Sequence, residues 1–243
     1  MGEEAVEVLD QMIEYYEKGW IELKPCVLTF SSVTHCIAVS GADDALERSL
    51  AIIQRMEDLH YHGFGDVRPN CYTYNCVINA AAKSKRPGKA QIALQLLRRM
   101  QEVALRPPTV TYNSVLNACA YANTSEDHPD EILDIAEQVF EEAKSLCNPN
   151  YITYSSYLKV IRRFVHDKTK RHHLTWKVFR ECCEAGQLSR MVMREISQCV
   201  SKRQLAAFRA DAGYDKDTGQ YNPKYTENAR LTKLAPSLGR VDR

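Results

Sequence analysis

The side chains with most to offer a ligand are amides and hydroxyls that recur in one local context. Ser31, Asn75, Asn113 and Ser155 each follow an aromatic residue inside Thr29-Phe30-Ser31-Ser32-Val33, Thr73-Tyr74-Asn75-Cys76-Val77, Thr111-Tyr112-Asn113-Ser114-Val115 and Thr153-Tyr154-Ser155-Ser156-Tyr157. Each can donate and accept a hydrogen bond, which suits the edge of an unpaired nucleic-acid base. A solitary Asn or Ser near a helix start commonly caps local backbone groups instead. Other chemistry is scarce. His172-His173 with Cys182-Cys183 has the residue types of a zinc site, but adjacent pairs point to different faces of a helix and the usual spacing is missing, so a loop pair and buried thiols are expected. The H-x-E and P-C-x-x-C elements of zinc deaminases do not occur, and neither do a Gly-rich phosphate loop, a nucleophile elbow or clustered carboxylates. No catalysis, metal or cofactor is expected.

The recurring strings lie 44, 38 and 42 residues apart. Lys24-Pro25-Cys26, Arg68-Pro69-Asn70, Arg106-Pro107-Pro108 and Asn148-Pro149-Asn150 precede them, and a proline there fixes a turn just ahead of a helix start. Apolar positions after each string recur at helical spacing, as in Val77, Ile78, Ala81 and Ala82, which predicts a first helix. After a polar break a second amphipathic helix follows: Ala45–Met56, Ala90–Met100, Ile132–Ala143 and Leu174–Cys183. The breaks contain Gly41, 83–88, 123–130 and 166–173, and Asp43 and Asp130 are expected as N-caps. Thr29, Thr73, Thr111 and Thr153 are expected to cap first helices, with the following aromatics packing between repeats. His60-Tyr61-His62 is expected in a loop. Residues 3–16 match a second helix without its first, so the chain is expected to begin inside a longer array.

With the Thr-Tyr-Asn opening, the paired helices and the closing Pro-Asn in place, residues 3 to 190 resemble pentatricopeptide repeat proteins. Tetratricopeptide repeats are the structural neighbour, but their Trp-Leu-Gly pattern is missing. The units are expanded relative to the family, chiefly in the turn between helices. The resemblance implies an all-α solenoid of stacked helix-turn-helix repeats wound into a right-handed superhelix. The divisions are 1–26 (second helix of a truncated repeat), four repeats at 27–70, 71–108, 109–150 and 151–190, a capping helix at 188–208 and a disordered basic tail at 210–243. It also implies single-stranded RNA as partner, read one base per repeat by the residue after the aromatic together with the last residue of the unit. These map to Ser31 with Asn70, Asn75 with Pro108, Asn113 with Asn150, and Ser155 in a last unit without an identifiable closing residue. The family's pairing pattern implies adenine for the first pair, at best a pyrimidine for the second, whose proline has no polar side-chain atom, and cytosine over uracil for the third. Leu28, Tyr72, Val110 and Ile152, two residues before the aromatics, resemble positions that sandwich the base. The implied role is an adaptor, with other RNA-processing proteins as further partners, in organellar RNA processing, stability or translation, in a mitochondrion or plastid. The alternative is a protein-binding scaffold, such as a subunit of an organellar ribosome.

The net charge of +1 hides a split, with 13 Lys+Arg against 22 Asp+Glu over residues 1–155 and 19 against 9 over 156–243. Lys168, Lys170, Arg171, Lys202, Arg203 and Arg209 are the candidates for phosphate contacts in the basic part. Nine cysteines without C-x-x-C pairing read as reduced thiols. No stretch approaches the roughly 18 consecutive apolar residues that span a bilayer, so a membrane partner is not expected and a monomer is.

Overall fold

The computed structural model describes residues 2–123, 128–215 and 217–227. Among them the chain is all-α: the eleven α-helices named below, a further helical run at 223–227, one 3-10 turn at Ile21–Leu23 and an isolated antiparallel bridge between Asp215 and Gln220. It divides into two compact units, Met1–His128 and Pro129–Arg243. The first holds α1 (Gly2–Glu17), α2 (Val27–Val39), α3 (Ala45–Tyr61), α4 (Cys71–Lys83), α5 (Lys89–Glu102) and α6 (Thr109–Ala120). The second holds α7 (Pro129–Leu146), α8 (Tyr151–Phe164), α9 (Lys168–Glu184), α10 (Arg190–Cys199) and α11 (Lys202–Asp211).

In the first unit α4 packs against α2, α3, α5 and α6, so α2, α4 and α6 form a row of first helices with second helices behind it. The aromatics that follow the threonines are the wedges of this packing. Phe30, Tyr74 and Tyr112 are at most 1% exposed, and Met56 and Met100 of the second helices are fully buried. A wholly buried side chain of this size contributes on the order of 2 kcal/mol by leaving water. α1 joins the same core through Leu9 and Ile13 against Phe30, Val33 and Ile37. Ion pairs tie the second helices on the outside, Arg55 to Asp10 and Arg99 to Glu57.

The first helices start where the prolines predict, but the cap is one turn earlier than the threonines. The residue after the proline is the N-cap: Cys26, Asn70, Pro108 and Asn150. The threonine is the third helical residue and closes a capping box, its Oγ1 accepting from the N-cap backbone N–H at 3.3, 3.5 and 3.1 Å in α2, α4 and α8. Pro108 has neither an N–H nor a capping side chain, and Thr111 Oγ1 is left buried without a partner.

Second helices end by a common device. The chain leaves α1, α3, α5 and α9 through a residue of left-handed backbone, which lets the next N–H reach back five residues, as in Phe64 to Leu59 at 2.9 Å and Leu105 to Met100 at 2.9 Å. Three of the four are glycine; the fourth is Ala104 at φ 58°. Lys89, 6% exposed, donates to the carbonyls of Ala82 and Ser84, placing its charge at the negative end of α4.

In the second unit α8 packs against α7, α9 and α10. Phe140 stacks on Tyr157 at 4.3 Å, and Phe208 of α11 meets Trp176 and Phe179 of α9 at 4.2 and 5.1 Å. Glu195 is 2% exposed and lies 3.8 Å from Arg162 and 3.3 Å from Arg194.

Several local expectations are corrected. Residues 188–208 form two helices broken at Val200-Ser201, because Ser201 makes its own capping box with Gln204. The chain does not lose order at 210. Residues 212–215 and 217–227 fold back, Asn222 N–H bonding Ala212 O at 3.0 Å and Leu188 N–H bonding Tyr225 O at 2.8 Å. The rest of the expected tail, 228–243, lies outside the described residues. His60 and Tyr61 finish α3 instead of forming a loop, and His172 and His173 lie within α9, which starts at Lys168 on the Asp167 cap. Asp44, not Asp43, precedes α3, and Asp130 lies inside the first turn of α7.

Candidate nucleic-acid interface

The helix register turns the repeating positions into one geometry. The unit's closing residue is the N-cap, the residue expected to sandwich a base is the second helical residue and the one expected to select it is the fifth. Second and fifth residues are three apart, so they share one helix face with Cβ atoms about 5–6 Å from each other. Leu28, Tyr72 and Val110 stand 72, 52 and 52% exposed on α2, α4 and α6, with Ile152 at 38% on α8. Large apolar side chains at the same register of three packed helices thus face solvent.

Around Tyr72 the face is built by α2 and α4 together. The His35 ring lies 6.1 Å from the Tyr72 ring, and Cys76 Sγ is 3.9 Å from His35 Nδ1. Partial burial, then the Cys76 thiol beside it, raises the Tyr72 hydroxyl above its ordinary range. Burial pushes Cys76 up to about 11, so it stays a neutral thiol. α2, α4 and α6 carry a single Lys, Arg, Asp or Glu among them, Lys83, so the face offers apolar surface and amides without a field of its own.

The residues expected to select bases differ in what they have left to offer. Ser31 is 2% exposed and its hydroxyl shares a 2.8 Å hydrogen bond with Thr73 Oγ1 on the next first helix. Ser155 is 1% exposed and donates to Ile152 O at 3.1 Å. Asn113 is buried as well. Asn75 is half-buried, and its Oδ1 is itself buried without a hydrogen-bond partner. The Ser31–Thr73 link therefore has no counterpart one unit on, where Asn75 Oδ1 and Thr111 Oγ1 are both left unpaired.

Asn70 Oδ1 accepts from Thr73 N at 3.0 Å and Asn150 Oδ1 from Ile152 N and Thr153 N at 3.0 and 3.2 Å, so both oxygens are committed to capping. Asn70 keeps its amide N–H groups for anything outside. Beside it opens a groove of about 1050 Å³ whose lining includes Glu57, Asp58, Asp66 and Arg68, with Glu57 paired to Arg99 and Asp66 to Arg68.

Among the cationic candidates Lys168, Lys170, Lys202, Arg203 and Arg209 are exposed. Arg171 is a correction. Its Nε donates to Cys199 O at 3.0 Å and its Nη1 to Val165 O at 3.2 Å, so it staples the second unit instead of waiting for a phosphate. Among the described residues no three His, Cys, Asp or Glu side chains gather as metal ligands, and no helix is long and apolar enough to cross a membrane.

Residues 59–121 match the pentatricopeptide repeat domain. The pentatricopeptide match runs from the end of α3 through α4 and α5 to the end of α6, and so contains Asn70, Tyr72, Asn75, Pro108, Val110 and Asn113. That domain is a helical-repeat type associated with RNA binding by non-enzymatic adaptors. None of the curated proteins compared matches the chain.

Proposed function

We propose that the chain is a sequence-selective RNA-binding adaptor that lays the bases of a single strand against the row α2, α4 and α6. The observation that carries this reading is the alignment of Leu28, Tyr72 and Val110, exposed at one register of consecutive packed helices where burial would be the default for such side chains. Bases insert between these side chains; Asn75, the least buried of Ser31, Asn75, Asn113 and Ser155, is the principal reader, and Asn70 adds its amide N–H donors. The uncharged face contacts bases, and affinity for phosphates comes from exposed lysines and arginines elsewhere, which makes it salt-dependent. Acting by occupancy, the adaptor shields or presents a transcript during RNA processing, stabilisation or translation in a mitochondrion or plastid.

Tyr72→Ala tests the reading, since Tyr72 is half out of the protein and its loss leaves the fold intact. Removing one base-stacking ring costs about 1–3 kcal/mol, roughly 5- to 150-fold in affinity. Fluorescence anisotropy with short single-stranded oligonucleotides measures it. Unchanged affinity would place the strand elsewhere.

A further inference from the structure

The last part of the second unit builds a small basic pocket that no motif in the sequence announces. Its lining is Arg190, Met193, Arg194 and Ser197 from one face of α10, Arg209 from α11, and Tyr221 from the returning chain, around about 180 Å³. The four α10 residues are spaced 0, 3, 4 and 7, so a single helical face presents them. Met193, 5% exposed, gives the pocket an apolar floor. Tyr221 is brought in by the returning chain at 217–227, which the Asp215–Gln220 bridge and the Asn222 and Leu188 backbone bonds hold in place. Its ring packs 4.9 Å from Tyr214, over which the Arg209 guanidinium lies at 5.3 Å. Burial raises the Tyr221 hydroxyl, while Arg209, which hydrogen-bonds it, and Arg190 pull it the other way.

Three guanidiniums line this pocket and no carboxylate does. The nearest acid on α10, Glu195, is buried and already engaged by Arg162 and Arg194. Arg190 is the first residue of α10, where the helix dipole disfavours a cation. No hydrogen bond or ion pair inside the described protein compensates it. Arg194 is shared with Glu195 and Arg209 lies against Tyr214 and Tyr221, so Arg190 is the cation left for an anion to compensate. The volume is below the roughly 300–1000 Å³ of sites for drug-sized ligands and suits one phosphate group. Arginine forks and a tyrosine hydroxyl are donors only toward such a group, as phosphate oxygens require.

The geometry points to a phosphate-group site, in which Arg190 and Arg209 face the doubly charged group together with Arg194, whose charge is shared with Glu195, and Tyr221 donates a further hydrogen bond. The group comes either as free phosphate or as the 5′-phosphate end of a strand; only the second source rests on the RNA reading above. The pocket lies wholly within the second unit.

The test uses the full chain. Isothermal titration with inorganic phosphate at low salt should give binding that Arg190→Gln weakens at least about tenfold and Tyr221→Phe about threefold, as loss of charge-assisted hydrogen bonds predicts. Circular dichroism should show both variants folded. In parallel, 5′-phosphorylated and 5′-hydroxyl oligonucleotides of one sequence are compared by anisotropy. Tighter binding of the phosphorylated strand, abolished by Arg190→Gln and by added phosphate, supports the site with a strand end as its ligand. Phosphate binding with the two strands alike supports the site with the free ion. No binding of phosphate, and no difference between the strands, overturns it. The 5′-hydroxyl strand reports on the RNA reading independently of either result.

Discussion

Replacing Pro108 by Asn should stabilise the first unit and give its α4 repeat a closing polar residue in one step. Pro108 is the N-cap of α6 but supplies neither a side-chain acceptor nor an N–H, and Thr111 Oγ1 is consequently buried and unpaired. The equivalent positions Asn70 and Asn150 show the arrangement that Pro108→Asn would restore, with the side chain accepting from the third backbone N–H and the threonine accepting from the cap. An N-cap of this type contributes about 1 kcal/mol, and pairing the orphan hydroxyl about another 1 kcal/mol. Giving up the proline's restriction of the unfolded chain costs about 0.4–1 kcal/mol. The net is about +1 kcal/mol, a rise in Tm of about 2–4 °C for a chain of this size. Calorimetry reads it, and a double-mutant cycle isolates the cause. Thr111→Val should be neutral or slightly stabilising in the wild type, where it deletes an unpaired hydroxyl. It should cost about 1 kcal/mol in the Pro108→Asn background. A coupling of zero would refute the reasoning, because Thr111 would then be indifferent to its cap. The same variant should also turn the pyrimidine tolerance of this unit into a preference for cytosine, read against a panel of substituted oligonucleotides.

Other expectations follow from the same geometry. Asn75→Ser should shift its unit from pyrimidine toward purine, as an anisotropy panel with one varied base would show. Ala104→Gly should stabilise by about 0.5–1 kcal/mol, since relief of about 1–2 kcal/mol of left-handed strain exceeds the added freedom of the unfolded glycine; a shift in urea midpoint checks it. Arg162→Met should destabilise the second unit by about 2 kcal/mol, because Glu195 stays buried with only Arg194 as counter-charge. Burial pushes Cys119 up to about 12 and Cys199 up to about 11 against 9.0 for a free thiol. The unfolded chain therefore loses these protons first. Their contribution to stability is intact below about pH 9 and is lost as pH rises toward 12, at up to about 1.4 kcal/mol per pH unit per thiol, and Cys119→Ala should flatten the decline in urea midpoint.

The hairpins were legible because proline, threonine and an aromatic recur with the helical period that follows them, and each of the three has a local mechanical role. Their division of labour was not. The threonine looks like a cap from sequence, whereas the structure makes it the far half of a box closed by the residue after the proline, a distinction set by where the first helical turn begins. The exposed row of Leu28, Tyr72 and Val110 could be anticipated from register alone, but the engagement of Ser31 could not. It depends on Thr73, 42 residues away, reaching across two helices. The break at Val200-Ser201 hides inside a continuous apolar period, and only the Ser201–Gln204 box signals it. Arg190 and Arg194 stand four apart in plain view, yet the pocket they line needs Arg209 and Tyr221, which a fold-back of the chain delivers. Arg171 looked like a free cation because nothing local shows that the carbonyls of Val165 and Cys199 converge on it.

The central claim, a single strand held by its bases against α2, α4 and α6, is tested most directly by titrating the wild-type chain and Tyr72→Ala with a pool of short single-stranded RNAs at about 50 and 200 mM salt. The account predicts binding that weakens with salt for both proteins, with Tyr72→Ala weaker than wild type by a similar factor at each concentration. Absence of salt-sensitive binding to any pool, or equal affinity for wild type and Tyr72→Ala, would contradict it.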